Sequence, residues 1–349
     1  MSPSPGVVCV SPGTFAEEIT LRPHVTLRGS GEATRIIGHI STQALPDPDA
    51  APTILRDFRI ESDHGALITT CPPDQSTCLS YLGVGGQNAS LFLQRVVMAA
   101  EQGLNAVSCL ELETYGGSTS LTISDSKCIS NAGMRFVNII QDKPVTTSLL
   151  VQRSRFEPLD PAVGIIEPIY LLVMSASGDC GLAQVPAGTR VNANIQNNEF
   201  FRTKFAGVHV ARCLAMTMED AAQSNYFIVN NTFLPFFGAS GNDAFALWAE
   251  GDIGLLPRLR VVNNLFFATN PMPIGGEPAD VDTMNLSTNV SPFVDVMAGN
   301  LRLAPGTAPI DIASALYAPK DDKQGLPRPM DGDGDGLAVP DIGAHEFTP

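Results

Sequence analysis

A six-residue pattern, apolar–polar–polar–small or Asn–any–apolar, recurs along this chain and constrains its fold more than any other feature. Copies begin at Leu55 (LRDFRI), Leu93 (LQRVVM), Ile123 (ISDSKC), Val151 (VQRSRF), Ile195 (IQNNEF), Ile228 (IVNNTF) and Val261 (VVNNLF). Successive copies stand 38, 30, 28, 44, 33 and 33 residues apart. A repeat of that period means a solenoid, a propeller or an array, with variable insertions in loops. The segments are β-rich and too short for helices, which excludes helical solenoids. The Trp-Asp signature of propellers is absent, and Gly-His occurs once, at Gly38-His39, without recurring.

The positions within the motif carry the rest of the argument. The sixth runs Ile60, Met98, Cys128, Phe156, Phe200, Phe233, Phe266, and the fourth runs Phe58, Val96, Ser126, Ser154, Asn198, Asn231, Asn264. If coils stack at the ~4.8 Å inter-strand distance, like side chains form ladders. Stacked Phe fills the interior. Asn at the fourth position is expected to sit in left-handed backbone at a bend and to pass amide hydrogen bonds to the next Asn. The third position runs Asp57, Arg95, Asp125, Arg153, then Asn197, Asn230, Asn263. Alternating charges there predict an ion-pair ladder that fixes coil register, each exposed pair contributing about 0–1 kcal/mol. A second strand, opened by Gly, follows most motifs: at Gly65, Gly103, Gly133, Gly164 and Gly207. Period-2 alternation turns Met134, Phe136, Val208 and Val210 inward and Asn105, Arg135 and His209 outward. The expected fold is an all-β, single-stranded right-handed parallel β-helix over residues 1–300, with a C-terminal cap over 301–349 and a second cap at the N-terminus.

At 349 residues the chain is long for one core, but solenoids grow by adding coils. Gly (31) and Pro (27) are abundant and only 16% of residues are charged, which suits short strands joined by turns. The net charge of −15 repels phosphate backbones, and no basic stripe with interleaved aromatics is present, so nucleic acid is excluded as a partner. No apolar run approaches the roughly 20 residues that span a bilayer. The opening Met1-Ser-Pro-Ser-Pro-Gly is not a signal peptide, so either the protein is cytosolic or a leader has been removed. The cysteines favour the second, and an extracellular or cell-surface location is expected. Cys71 and Cys78 flank a polar loop that a local disulfide would close, and Cys180 and Cys213 offer a second pairing that spacing does not fix. No CxxC pair marks a zinc site.

Two stretches carry a family resemblance. Val10-Ser-Pro-Gly-Thr-Phe-Ala-Glu-Glu-Ile-Thr-Leu followed by His24-Val-Thr-Leu-Arg-Gly-Ser-Gly resembles the opening coil of pectin-lyase-like β-helix proteins. Leu301-Arg-Leu-Ala-Pro-Gly-Thr, then Gly325-Leu-Pro-Arg-Pro and Asp341-Ile-Gly-Ala-His-Glu-Phe, resembles the end of bacterial right-handed β-helix repeat proteins of the choice-of-anchor type. The resemblance implies the fold and a polysaccharide or glycan partner. It does not settle activity, because the superfamily holds lyases, hydrolases, epimerases and adhesins.

Chemistry is sparser. The Asn-Thr-Asp and Gly-His-Gly motifs of polygalacturonase-like enzymes are missing, the one Asp-Asp pair (Asp321-Asp322) stands near the C-terminus without them, and no lyase or esterase pattern matches well enough to transfer roles. What remains is a neighbourhood: coils bearing His209, Arg212, Asp243 and Glu250 offer acid–base groups, with Trp248, the only Trp, as a sugar-stacking ring. Arg135, at the outward position equivalent to His209 but several coils away, and Arg202 are further substrate-binding candidates. A packed Trp248 and a solvated His209–Arg212 face are the structural alternative. Asp331-Gly-Asp-Gly-Asp-Gly resembles a calcium loop, with Asp331, Asp333, Asp335 and Asp341 as candidate ligands, although the spacing departs from an EF-hand. A bound Ca²⁺ would brace the C-terminal region rather than act in catalysis. The expectation is therefore a secreted or surface bacterial β-helix protein, monomeric, that engages polysaccharide as a lyase or hydrolase. The alternative is a non-catalytic structural or adhesive module.

Overall fold

The computed structural model describes residues 6–43, 51–62, 68–71, 88–100, 108–115, 117–140, 143–175, 185–213, 216–236, 245–251, 258–267, 274–276 and 278–349. The chain forms a right-handed parallel β-helix. Within the coils each interior strand pairs in parallel with one strand of the preceding coil and one of the next, which gives three long faces; Phe293–Asp295 and Asn300–Leu303, beyond the coils, pair antiparallel. The first face holds Thr119–Ser124, Thr146–Gln152, Arg190–Gln196, Asn225–Val229 and Arg258–Val262. The second holds Lys127–Ile129, Arg155–Glu157, Glu199–Thr203, Thr232–Pro235 and Leu265–Phe267. The third holds Leu110–Tyr115, Met134–Ile140, Ile169–Ser175, Ala206–Cys213, Phe245–Gly251 and Ile274–Gly276.

The recurring motif is the corner between the first and second faces. Its sixth-position column packs inward as expected: the Phe156–Phe200, Phe200–Phe233 and Phe233–Phe266 ring centroids lie 5.1, 4.6 and 5.4 Å apart. All four rings are buried, and burial of such a side chain stabilises by about 1.5–3 kcal/mol.

The corner itself divides its labour differently from the sequence-based expectation. The left-handed backbone belongs to the third position, where Asp57, Arg95, Asp125, Arg153, Asn197, Asn230 and Asn263 all have φ between 48° and 61°. The fourth position makes the hydrogen-bond ladder: the backbone N–H of Ser154, Asn198 and Asn231 donates to the side-chain carbonyl of Asn198, Asn231 and Asn264 at 2.9–3.0 Å. The reason is directional, since a residue just past the αL step points its side chain up the axis, into reach of the next coil. Asn264 continues this ladder onto Asn285, so Asp282–Ser287 is an eighth corner that sequence missed because Asp282 and Ser287 replace its apolar ends. The ion-pair ladder is present at the third position, with Arg95–Asp57 at 2.6 Å and Arg153–Asp125 at 2.7 Å.

Residues 293–349 run back along the flank of the second face. Phe293, Leu301, Leu303, Ile310, Ala313 and Ile342 form a second apolar core against the outward side chains Phe201, Leu234, Leu265 and Phe267. The strap also reads the corner column. Asn197 donates to the Asp321 carbonyl, Asn230 to the Asp341 and Gly343 carbonyls, and Asn263 to the Ser314 carbonyl. The third position is Asn at the three corners whose side chains bond the strap backbone, since a buried amide can bond carbonyls there, while Arg153, one coil earlier, meets the strap through an ion pair with Asp321 at 3.1 Å.

Among the described residues one disulfide, Cys109–Cys128, ties the third face to the Phe column across 19 residues. Both sulfurs are in the core, and Cys9 is a free, exposed thiol. The Cys71–Cys78 and Cys180–Cys213 pairings lie outside the described residues.

Candidate functional site

Parallel register on the third face stacks residues that sequence separates by tens of positions. One outward column runs Glu111, Arg135, Tyr170, His209, Trp248, Gly275, one residue per coil. Arg135 is exposed with its guanidinium 5.9 Å from the centre of the Tyr170 ring. Tyr170 meets His209 edge-on at 4.9 Å. Trp248 is half-buried between Phe245 at 4.8 Å and Phe205 at 5.7 Å. Gly275 ends the column for a steric reason: a Cβ there would stand 2.6 Å from Trp248 Cε3 and from Phe245 Cε1.

His209 is the centre of this surface. Although it faces outward, as expected, its neighbours cover it to 8% exposure. Its Nδ1 lies 2.8 Å from Glu167 Oε1 and its Nε2 2.9 Å from Glu250 Oε1. Only the imidazolium can donate to both carboxylates at once. Burial alone would lower the imidazole pKa, but the hydrogen bonds and charges of Glu167 and then Glu250 outweigh it and hold the group above its ordinary value. Burial also raises the Tyr170 hydroxyl, opposed by Arg135 and reinforced by Glu250 and Glu167.

Sequence had placed His209, Trp248 and Glu250 on neighbouring coils, and they meet. Arg135 lies two coils from His209, with Tyr170 between them, rather than several. Arg202 does not join them. It ends the second-face strand, where it stacks at 5.1 Å on Phe201 and donates to the Pro161 carbonyl. The Arg212 backbone pairs with Val173 and Gly251, but its side chain, like all of Asp243, lies outside the described residues. Glu167, Tyr170, Phe205 and Phe245 were missed. Tyr170 was hidden because the third-face strand expected at Gly164 begins at Ile169, five residues on, and only that start brings Tyr170 into register with Arg135 and His209.

No family model, curated protein or solved structure matches this chain.

The acidic strap loop gathers a different set from the one expected. Carboxylate oxygens of Asp311, Asp331 and Asp333 lie within 4.8 Å of one another. Asp335 instead accepts from the Leu337 N–H. Asp341 is buried, accepts from the Asp311 and Phe347 N–H groups, and is pushed by burial up to about 6. Asp311 stands 20 residues before Asp331, so no local spacing could reveal it. Its Oδ1 is buried without a hydrogen-bond partner, which fits a hard cation held by these three oxygens.

Proposed function

We propose that this chain is a secreted or surface-exposed protein that binds an extended polysaccharide along its third face. The observation that carries the reading is the outward column Arg135, Tyr170, His209, Trp248, which spaces Arg135, Tyr170 and Trp248 along the solenoid axis, with the exposed Glu250 held by the buried His209 between the two rings. A linear polymer lying along that axis meets the contacts in sequence, with sugar faces on the aromatic rings and hydroxyls on the carboxylates. A disulfide in the core suits an oxidising compartment. The likeness of the opening coil to pectin-lyase-like β-helix proteins, and of the C-terminal end to bacterial right-handed β-helix repeat proteins of the choice-of-anchor type, suits the same reading. On it, Ca²⁺ held by Asp311, Asp331 and Asp333 braces the strap, away from the column.

A catalytic reading is favoured by the Glu167–His209–Glu250 triad alone. The geometry weighs against its simplest form. Glycoside hydrolysis by two carboxylates needs the sugar, or the sugar and a water, between them. Here the imidazole fills that space.

Native gels cast with soluble polysaccharides test the binding reading. Wild-type protein should be retarded by at least one polymer, and Trp248→Ala or Tyr170→Ala should weaken retardation about tenfold. Equal retardation of all three proteins would overturn it. Assays for unsaturated products and reducing ends, with and without calcium, address catalysis. Turnover abolished in His209→Ala would establish it.

A further inference from the structure

Resting on the reading of the third face as a glycan platform, we infer that the sugar seated at Trp248 is an uncharged one, and that Glu250 is the residue that selects it. Glu250 belongs to the same strand as Trp248, two residues on, and its side chain is 53% exposed. Its Oε1 is occupied by His209 Nε2, while Oε2 has no partner among the described residues. A carboxylate oxygen in that position accepts hydrogen bonds from sugar hydroxyls and donates none. A neutral ring supplies such hydroxyls. A uronate or sulfated ring brings a second anion against the first.

The charges around the triad sharpen the discrimination. His209 contributes one positive charge, shared between Glu167 and Glu250, so the three groups sum to −1 when the imidazole is protonated and −2 when it is not. Arg135 is the other cation of the column, with its guanidinium on the far side of the Tyr170 ring from His209. Two coils separate it from His209, roughly 10 Å, about the distance at which salt screens exposed charges. The charges acting on Tyr170, between the two cations, come from Arg135, Glu250 and Glu167. A chain of net charge −15 adds a long-range bias against polyanions. Glu250 is thus a specificity-determining residue, and the platform takes neutral polymers.

The test is a panel run at low and moderate salt: xylan, mannan and mixed-linkage glucan against polygalacturonate, alginate and hyaluronan. Wild-type, Trp248→Ala and Glu250→Gln proteins are compared by affinity electrophoresis. The glutamine keeps an acceptor for His209, and a matching thermal melt checks that the fold is retained. Wild-type should bind a neutral polymer and lose about tenfold in Trp248→Ala. Glu250→Gln should cut the ratio of neutral to acidic affinity at least about fivefold, with acidic polymers gaining. If wild-type binds an acidic polymer more tightly than any neutral one through Trp248, the selectivity is overturned while the platform stands. An unchanged ratio in Glu250→Gln removes the role given to that residue. Binding of no polymer at all overturns the platform and the selectivity together.

Discussion

Asn231 accepts at Oδ1 from both the backbone N–H and the side-chain amide of Asn198, at 3.0 and 3.1 Å. Its own amide donates to the Ile195 carbonyl at 2.8 Å and to Asn264 Oδ1 at 3.1 Å. The residue is completely buried, so truncation strands donors and an acceptor where water cannot replace it. Asn231→Ala should therefore cost about 2–4 kcal/mol, read as a lower urea midpoint. Asn230, one residue earlier and equally buried, has φ 51° and spends its amide on the strap. Adjacent Asn residues thus do unlike work: one takes the strained backbone, the other carries the bonds between coils. That difference is conformational, which is why a pattern of letters assigned both tasks to one position.

At the scale of elements, the strap is the part whose attachment can be probed separately. It holds on through an apolar seam and through polar locks that include the His345 Nε2 contact to Glu199 Oε1 at 2.7 Å. Leu301 is 1% exposed in that seam, opposite second-face side chains, and makes no contact with the third-face column. Leu301→Ala should cost about 2–5 kcal/mol in attachment of the strap. Limited proteolysis should then cleave within 293–349 well before the coils, leaving glycan retardation by the column unchanged. Simultaneous digestion of strap and coils would mean that the two unfold as one unit.

The whole molecule sums titrating groups of opposite sense. Burial pushes Glu346 up to about 7 and Asp341 up to about 6, from ordinary values of 4.5 and 3.8. The folded state therefore binds more protons than the unfolded one, and this part of the stability falls as pH rises from about 4 to 7. His209, raised above 6.5, contributes stability below that value that is lost as pH passes its folded pKa. Glu199 runs the other way. Burial would raise it, but the hydrogen bond from His345 and the charges of Lys323 and Arg155 prevail and hold it at about 2. Its contribution is present above 4.5 and lost as pH falls towards 2. The expected thermal midpoint is highest near pH 4.5–5 and declines on both sides. A maximum above pH 7 would show that Glu346 and Asp341 remain ionised within the fold.

The sequence by itself determined the architecture. A recurring corner motif, inward Phe residues and alternating strands are local patterns, and stacking at a fixed distance converts them directly into ladders. It also brought His209, Trp248 and Glu250 to neighbouring coils, because each lies a fixed step from a recognisable strand. Only the tertiary structure decided the rest. Tyr170 and Glu167 joined the site because a loop of unpredicted length set where the strand resumed, and one residue of slip reverses inside and outside. Asp311 met Asp331, and the strap found its Asn column, through contacts between segments far apart in the chain. The feature that frames the candidate function, the column on the third face, belongs to both: periodicity supplied the outward positions, and register chose which side chains share them.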